Sequence, residues 1–138
     1  MINTVMTAMT ETEIHLAVAD HLRRRAVDGL VWWACPNGGK RSPVEAAIFQ
    51  GLGVRAGASD LMALHAGTFY ALELKAEAGK VSRAQEQFLA AVASAGGRAY
   101  VAYGLDEALC VLEDWGLLRG VAMLTRPRAR DHEAVSKR

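Results

Sequence analysis

Cysteine is almost absent. Cys35 and Cys110 are the only two in 138 residues, they lie far apart, and no CxxC or Cys/His spacing surrounds them, which excludes a disulfide framework and a cysteine-based zinc site. They read as reduced core thiols. No run approaches the ~18 uncharged apolar residues of a membrane span, and Met1 to Thr10 has neither a basic nor an apolar signal region, so a cytoplasmic protein without a membrane partner is expected. Phosphate-cradling glycine motifs are missing too, with neither GxGxxG nor GxxxxGK[ST] present. His15, His21, His65 and His132 have no ligand spacing among them. Internal repeats and low-complexity segments are lacking.

What is there fits one globular domain. Hydrophobic residues make up 51% and charged residues 22%, far from the composition of a disordered chain. The net charge of +1 hides a segregation: −3 over residues 1–22, +4 over 23–55, −4 over 56–118 and +4 over 119–138. The basic blocks Arg23-Arg24-Arg25 and Lys40-Arg41 and the tail 126–138 suit a polyanion, but on charge alone solvated faces and a frayed tail are the better account. A domain over 1–125 and a poorly ordered basic tail over 126–138 are therefore expected.

Apolar residues Ile14, Ala17, Val18 and Leu22 recur at helical spacing and predict a first helix from Thr10 to Arg25. Leu30 to Cys35 reads as a strand stopped by Pro36-Asn37-Gly38-Gly39. Ser42, Pro43 and Glu45 mark the start of a helix running to about Gln50. Two apolar runs, Leu61–His65 and Thr68–Leu74, flank Ala66-Gly67 as a β-hairpin. Ser82 and Gln85 form a capping box for a helix ending at Gly96-Gly97, Ala99–Tyr103 is a further strand, and Asp106 is placed to cap a last helix. This order predicts an α/β fold: a mixed sheet, apolar on both sides and covered by helices on both faces.

The hairpin register carries the chemistry. A loop centred on Ala66-Gly67 pairs 65 with 68 and, further down, Asp60 with Glu73. Directly opposed carboxylates repel at Cβ separations of about 4.5–5.5 Å, so a cation belongs between them. Mg²⁺, with Mn²⁺ as its substitute, fits an oxygen-ligand site of one or two carboxylates, waters and phosphate oxygens. Lys75 shares the face of Glu73 because strand side chains alternate, whereas Leu74 points into the core and offers its backbone carbonyl as a further ligand. A half-exposed, ion-paired strand is the plainer account of Glu73 and Lys75, but it explains poorly why an apolar strand abruptly presents both charges on one face. Lys40, Arg41 and Arg55 sit in loops before this site, as phosphate-binding groups or as ordinary solvated charges. Trp32 and Trp33 fall in a strand, so at least one is expected in the core.

Ser59-Asp60 with Glu73-Leu74-Lys75 is the spacing of the PD-(D/E)XK nuclease superfamily. Joined to Pro36–Arg41, Gly53–Leu61 and Gly79–Gln85 in this order, it closely resembles the stand-alone VRR-NUC nucleases of phages and bacteria, over roughly Glu11 to Leu118. Two departures are Ser59, where the family usually has proline, and His15, where a glutamine often follows the first-helix acid; neither replaces a metal-binding carboxylate. The resemblance implies a restriction-endonuclease-like fold and a Mg²⁺-dependent DNA endonuclease, cytoplasmic in a bacterial host if phage-encoded. It places Gln85 at the site, where its capping role competes with a catalytic one, and it implies a first-helix acid. Glu11 is the choice there, since it shares the apolar stripe while Glu13 can close a capping box with Thr10.

Catalytic roles thus fall to Glu11, Asp60, Glu73, Lys75 and Gln85, with Asp60, Glu73 and the Leu74 carbonyl on the metal. The expected products carry 5′-phosphate and 3′-hydroxyl ends. Resemblance also implies a homodimer acting on branched DNA such as four-way junctions; apart from the resemblance, apolar residues around Trp115 to Leu118, if exposed, are the interface candidates. Two rivals are a non-cleaving nucleic-acid-binding module of the same fold, which has no use for opposed carboxylates, and a nucleotide phosphoesterase, which lacks its glycine motif.

Overall fold

The protein is described here by a computed structural model covering residues 7–36 and 41–120. Lys40 and the basic tail from Arg126 lie outside the described residues. Eight elements follow in the order α1 (Glu11–Arg25), β1 (Val31–Ala34), α2 (Pro43–Gly51), β2 (Leu61–His65), β3 (Thr68–Lys75), α3 (Arg83–Ser94), β4 (Arg98–Tyr103) and α4 (Leu105–Asp114). The four strands form one mixed sheet in the order β1-β2-β3-β4. The first two pairings are antiparallel, and β3 runs parallel to β4.

Local chemistry explains the boundaries. Thr10 and Ser82 each form a complete capping box, with Glu13 and Gln85, while Ser42 accepts from the Glu45 amide at the start of α2. The hairpin turns at Ala66 and Gly67, both with positive φ (47° and 80°), as a two-residue turn matched to strand twist requires. Its register pairs His65 with Thr68 and Leu61 with Leu72, as the loop predicts. One expectation fails: α4 is capped by Gly104 without a side-chain hydrogen bond. Asp106 lies inside its first turn, where a carboxylate still favours the helix dipole.

Period-two alternation divides the sheet into two faces. Tyr70, Leu72 and Leu74 of β3 join Tyr100 and Ala102 of β4 beneath α1 and α4, packed with Ile14, Val18, Leu22, Val111 and Leu112. Ala71 joins Ala99, Val101 and Met62 beneath α3, against Leu89. Helices therefore cover both faces of β3 and β4. Toward β1 the cover is lost: Val31, Trp33 and Leu64 are exposed, while Trp32 packs half-buried against the core. No residue of α2 is buried, and its Val44 and Ile48 and the C-cap Leu52 are 70%, 57% and 74% exposed.

Two further expectations are settled by packing. Leu117 and Leu118 are buried, and the half-buried Trp115 tilts against Tyr70 with ring centroids 5.1 Å apart, so the apolar side chains expected at an interface pack into the chain's own core. The Arg23-Arg24-Arg25 block is engaged within the chain: Arg23 lies over Trp32, Arg24 pairs with Asp20, and Arg25 pairs with Glu113 of α4.

Candidate active site

Three helix N-termini converge at the end of β3. Helix α4 starts one residue after β4, where Gly104 N–H donates to Lys75 O (2.9 Å). Helix α3 presents Gln85 from its third position to Glu73, and α1 presents Glu11 from its first turn to Lys75. The positive ends of the helix dipoles thus collect where carboxylates and phosphates would lie.

Asp60 follows directly on the buried Ser59 and ends the loop before β2. Its backbone carbonyl accepts from Cys35 N–H (2.9 Å), and its Oδ2 accepts from Leu74 N–H (2.8 Å). The second bond replaces a ladder bond that β2, already ended, cannot make. It also fixes the direction of the Leu74 peptide groups. Because the Lys75 carbonyl faces β4, strand alternation turns the Leu74 N–H and C=O the other way, toward Asp60. The carbonyl expected as a ligand therefore points to the side of the acidic pair.

Glu73 is only 2% exposed. Its Oε1 accepts from Gln85 Nε2 (2.8 Å), and Gln85 Oε1 accepts from Ser82 N–H (2.9 Å). One amide thus does two things: it closes the capping box with its oxygen and holds Glu73 with its nitrogen. Glu73 Oε2 is buried and has no hydrogen-bond partner among the described residues. Burial first, and then the neighbouring Asp60 charge, push the Glu73 carboxyl up to about 8. Lys75, itself buried, opposes that shift. Its Nζ stands 3.8 Å from Glu73 Oε1 and 3.9 Å from Glu11 Oε1, longer than the ~2.7–2.9 Å of a charge-assisted hydrogen bond, so the compensation is partial.

This is the environment a divalent cation relieves. A buried carboxylate oxygen without a partner, beside a second carboxylate that raises its proton affinity, favours whatever positive charge can enter. Among the described residues no three His, Cys, Asp or Glu side chains form a metal cluster. The available donors, Asp60, Glu73 and the Leu74 carbonyl, suit an ion such as Mg²⁺ that keeps several waters. Glu11 rather than Glu13 stands at the site, since Glu13 Oε1 is taken by Thr10 N–H (3.1 Å).

Of the expected phosphate-binding residues, Arg41 lies over the Phe49 ring (4.2 Å to its centroid) and Arg55 over Phe88 (5.5 Å). Both are exposed. Two supports went unread in the sequence. Gly57, at φ 79°, presses on the first turn of α3 so closely that a Cβ there would sit 2.3 Å from Ala84 C and 2.7 Å from Gln85 N. Its presence three residues before Asp60 was the available signal. Ser59 is wholly buried and its hydroxyl has no partner among the described residues, an arrangement that costs about 1–3 kcal/mol and that no local pattern announces.

The VRR-NUC domain family matches residues 10–106, from the cap of α1 into the first turn of α4. A solved structure described as a "VRR_NUC domain protein" superposes with a TM-score of 0.63 and 26% sequence identity, over 86% of this chain and 100% of its own. No curated protein matches.

Proposed function

The chain belongs to the VRR-NUC domain family, and from that premise we propose that it is a Mg²⁺-dependent DNA endonuclease that hydrolyses phosphodiester bonds in branched DNA. The observation that carries the metal is the buried, unpartnered Glu73 Oε2 beside Asp60. When bound by Asp60, Glu73 and the Leu74 carbonyl, Mg²⁺ supplies Lewis-acid polarisation of the phosphate and lowers the pKa of the attacking water. Gln85 holds Glu73 Oε1 and leaves Oε2 free. Lys75 orients the attacking water and offsets negative charge growing on the phosphate oxygens. Glu11 steadies the Lys75 ammonium from the far side. Addition of water at phosphorus breaks the bond to the 3′-oxygen, giving 5′-phosphate and 3′-hydroxyl ends.

A domain with one such site cuts one strand at a time, whereas resolving a four-way junction needs two matched cuts, which a two-fold homodimer supplies. The exposed apolar side of α2 supports a second copy, since Val44, Ile48 and Leu52 find no cover in their own chain's described residues. The test is incubation of the purified protein with single-stranded, duplex, flap and four-way junction DNA, in Mg²⁺, Mn²⁺ or EDTA, with light scattering for the mass. Paired, metal-dependent cuts in the junction and a dimeric mass are expected. Undiminished cleavage in EDTA defeats the metal reading, and a monomer that cuts duplex and junction equally defeats the branched-DNA reading.

A further inference from the structure

Beside the acidic pair, on the same face of the sheet, the protein carries an aromatic and basic surface that the hydrolytic chemistry does not use. Trp33 pairs with Met62 across β1 and β2, one row of the sheet away from Asp60. The residue is 39% exposed, and its ring lies 6.1 Å from the Phe69 ring at an interplanar angle of 53°. Beyond it a cavity of ≈320 Å³ opens, lined by Arg55, Phe69, Phe88, Val92 and Gly97. Arg55 also lines a second, ≈680 Å³ cleft with Arg41 and Phe49, so the residue borders both. Unlike Arg24 and Arg25, neither Arg41 nor Arg55 meets a carboxylate among the described residues.

Resting on the nuclease reading for its setting, we propose that this cavity binds an unstacked nucleobase of single-stranded DNA. Phe69 and Phe88 supply the stacking faces of the cavity itself, Trp33 extends them from its place against Phe69, and Arg55 and Arg41 supply the phosphate contacts. Aromatic faces interleaved with guanidinium groups are what a single strand requires, since every base has a π-face and every step a phosphate. A paired duplex buries its base faces and gains nothing from the aromatic rings. The cavity size suits one nucleotide, at the small end of ligand pockets. Phe69 precedes Glu73 by four strand residues, about 13 Å, so a strand lying along the sheet joins a stacked base to the scissile phosphate within about four nucleotides. The site therefore favours DNA that offers unpaired bases next to the cut, as flaps and opened junctions do.

The test is fluorescence anisotropy in EDTA, where cleavage does not interfere, with a short oligothymidylate and a blunt duplex of the same length. Trp33→Ala and Phe88→Leu are expected to weaken single-strand binding about tenfold each, the loss of one stacked base, with duplex binding changed less than about twofold. Trp33→Phe should restore it. Arg55→Gln should weaken both substrates, because phosphates are common to them. Equal losses on both substrates from Trp33→Ala and Phe88→Leu, or unchanged single-strand binding, or no single-strand binding by the unaltered protein, each overturn the proposal. A fall in dimer mass with unchanged binding assigns the surface to contact between copies instead. Intact single-strand binding in a protein that never cleaves leaves this inference standing and removes the nuclease reading.

Discussion

The two faces of β3 are built from alternating residues of one strand, yet they follow different rules. Under α1 and α4, Tyr70, Leu72 and Leu74 join one hydrophobic cluster with Ile14, Val18, Val111 and Leu112. Under α3 the same strand runs from Phe69 and Ala71 to Glu73 and Lys75, so packing gives way within two residues to buried charge. The first face holds the fold together and, among the described residues, its cluster buries no charge, with the Tyr100 hydroxyl donating to Glu107 of α4. The second spends stability on a buried carboxyl that burial and the Asp60 charge make costly to ionise, and it can do so because the first is complete. Removing apolar bulk and removing charge should therefore have opposite signatures.

Leu72→Ala should break this contrast most strongly, destabilising the protein by about 2–5 kcal/mol through lost burial and a residual cavity. Glu73→Gln should do the reverse: stability in metal-free buffer unchanged or raised, and cleavage reduced by at least about 100-fold. Urea melts beside junction cleavage read both. A Leu72→Ala protein as stable as the parent, or a Glu73→Gln protein with full activity, removes the division.

Acidity sharpens it next. The Glu73 carboxyl titrates near 8 in the fold against about 4.3 in the unfolded chain, so between these values the folded state binds the extra proton. Stability without metal should accordingly be highest below about pH 4.3 as far as this group is concerned, fall as pH rises, and level off above about 8. Glu73→Gln should lack this slope. Thermal melts across pH in EDTA, read as the difference between the two proteins, check the sign.

Gly57→Ala probes the support beneath the charged face. With a positive φ and a Cβ driven into Ala84 and Gln85, it should cost about 1–3 kcal/mol. It should also lower cleavage by shifting the amide that holds Glu73, whereas a purely structural loss would leave kcat intact at temperatures where the variant is folded. The smallest effect is expected at the hairpin tip, where Ala66 adopts φ 47°. Ala66→Asn suits that conformation better and should add about 0.5–1 kcal/mol without touching activity.

Much of this was legible because it is local. Capping boxes at Thr10 and Ser82 and the tight turn at Ala66-Gly67 depend on neighbours in the chain, and the turn alone sets the register that brings Asp60 beside Glu73. The choice of Glu11 over Glu13 followed from the same capping logic. What depends on distant partners was not legible: the packing of Trp115, Leu117 and Leu118, the exposure of α2, the contact of Gly57 with α3 and the convergence of three helix N-termini. An apolar run states that burial is favourable but not where the covering surface will be. For α2, that surface is not among the described residues of its own chain.

The central claim, that Asp60 and Glu73 together hold a divalent cation, is tested most directly by calorimetric titration of Mg²⁺ into the protein at pH 7 in buffers of different ionisation enthalpy. Since the Glu73 carboxyl is largely protonated there, cation binding should release close to one proton. Both the binding and the proton release should vanish in Glu73→Gln. Binding of equal strength in that variant, or binding without proton release in the unaltered protein, would contradict the account.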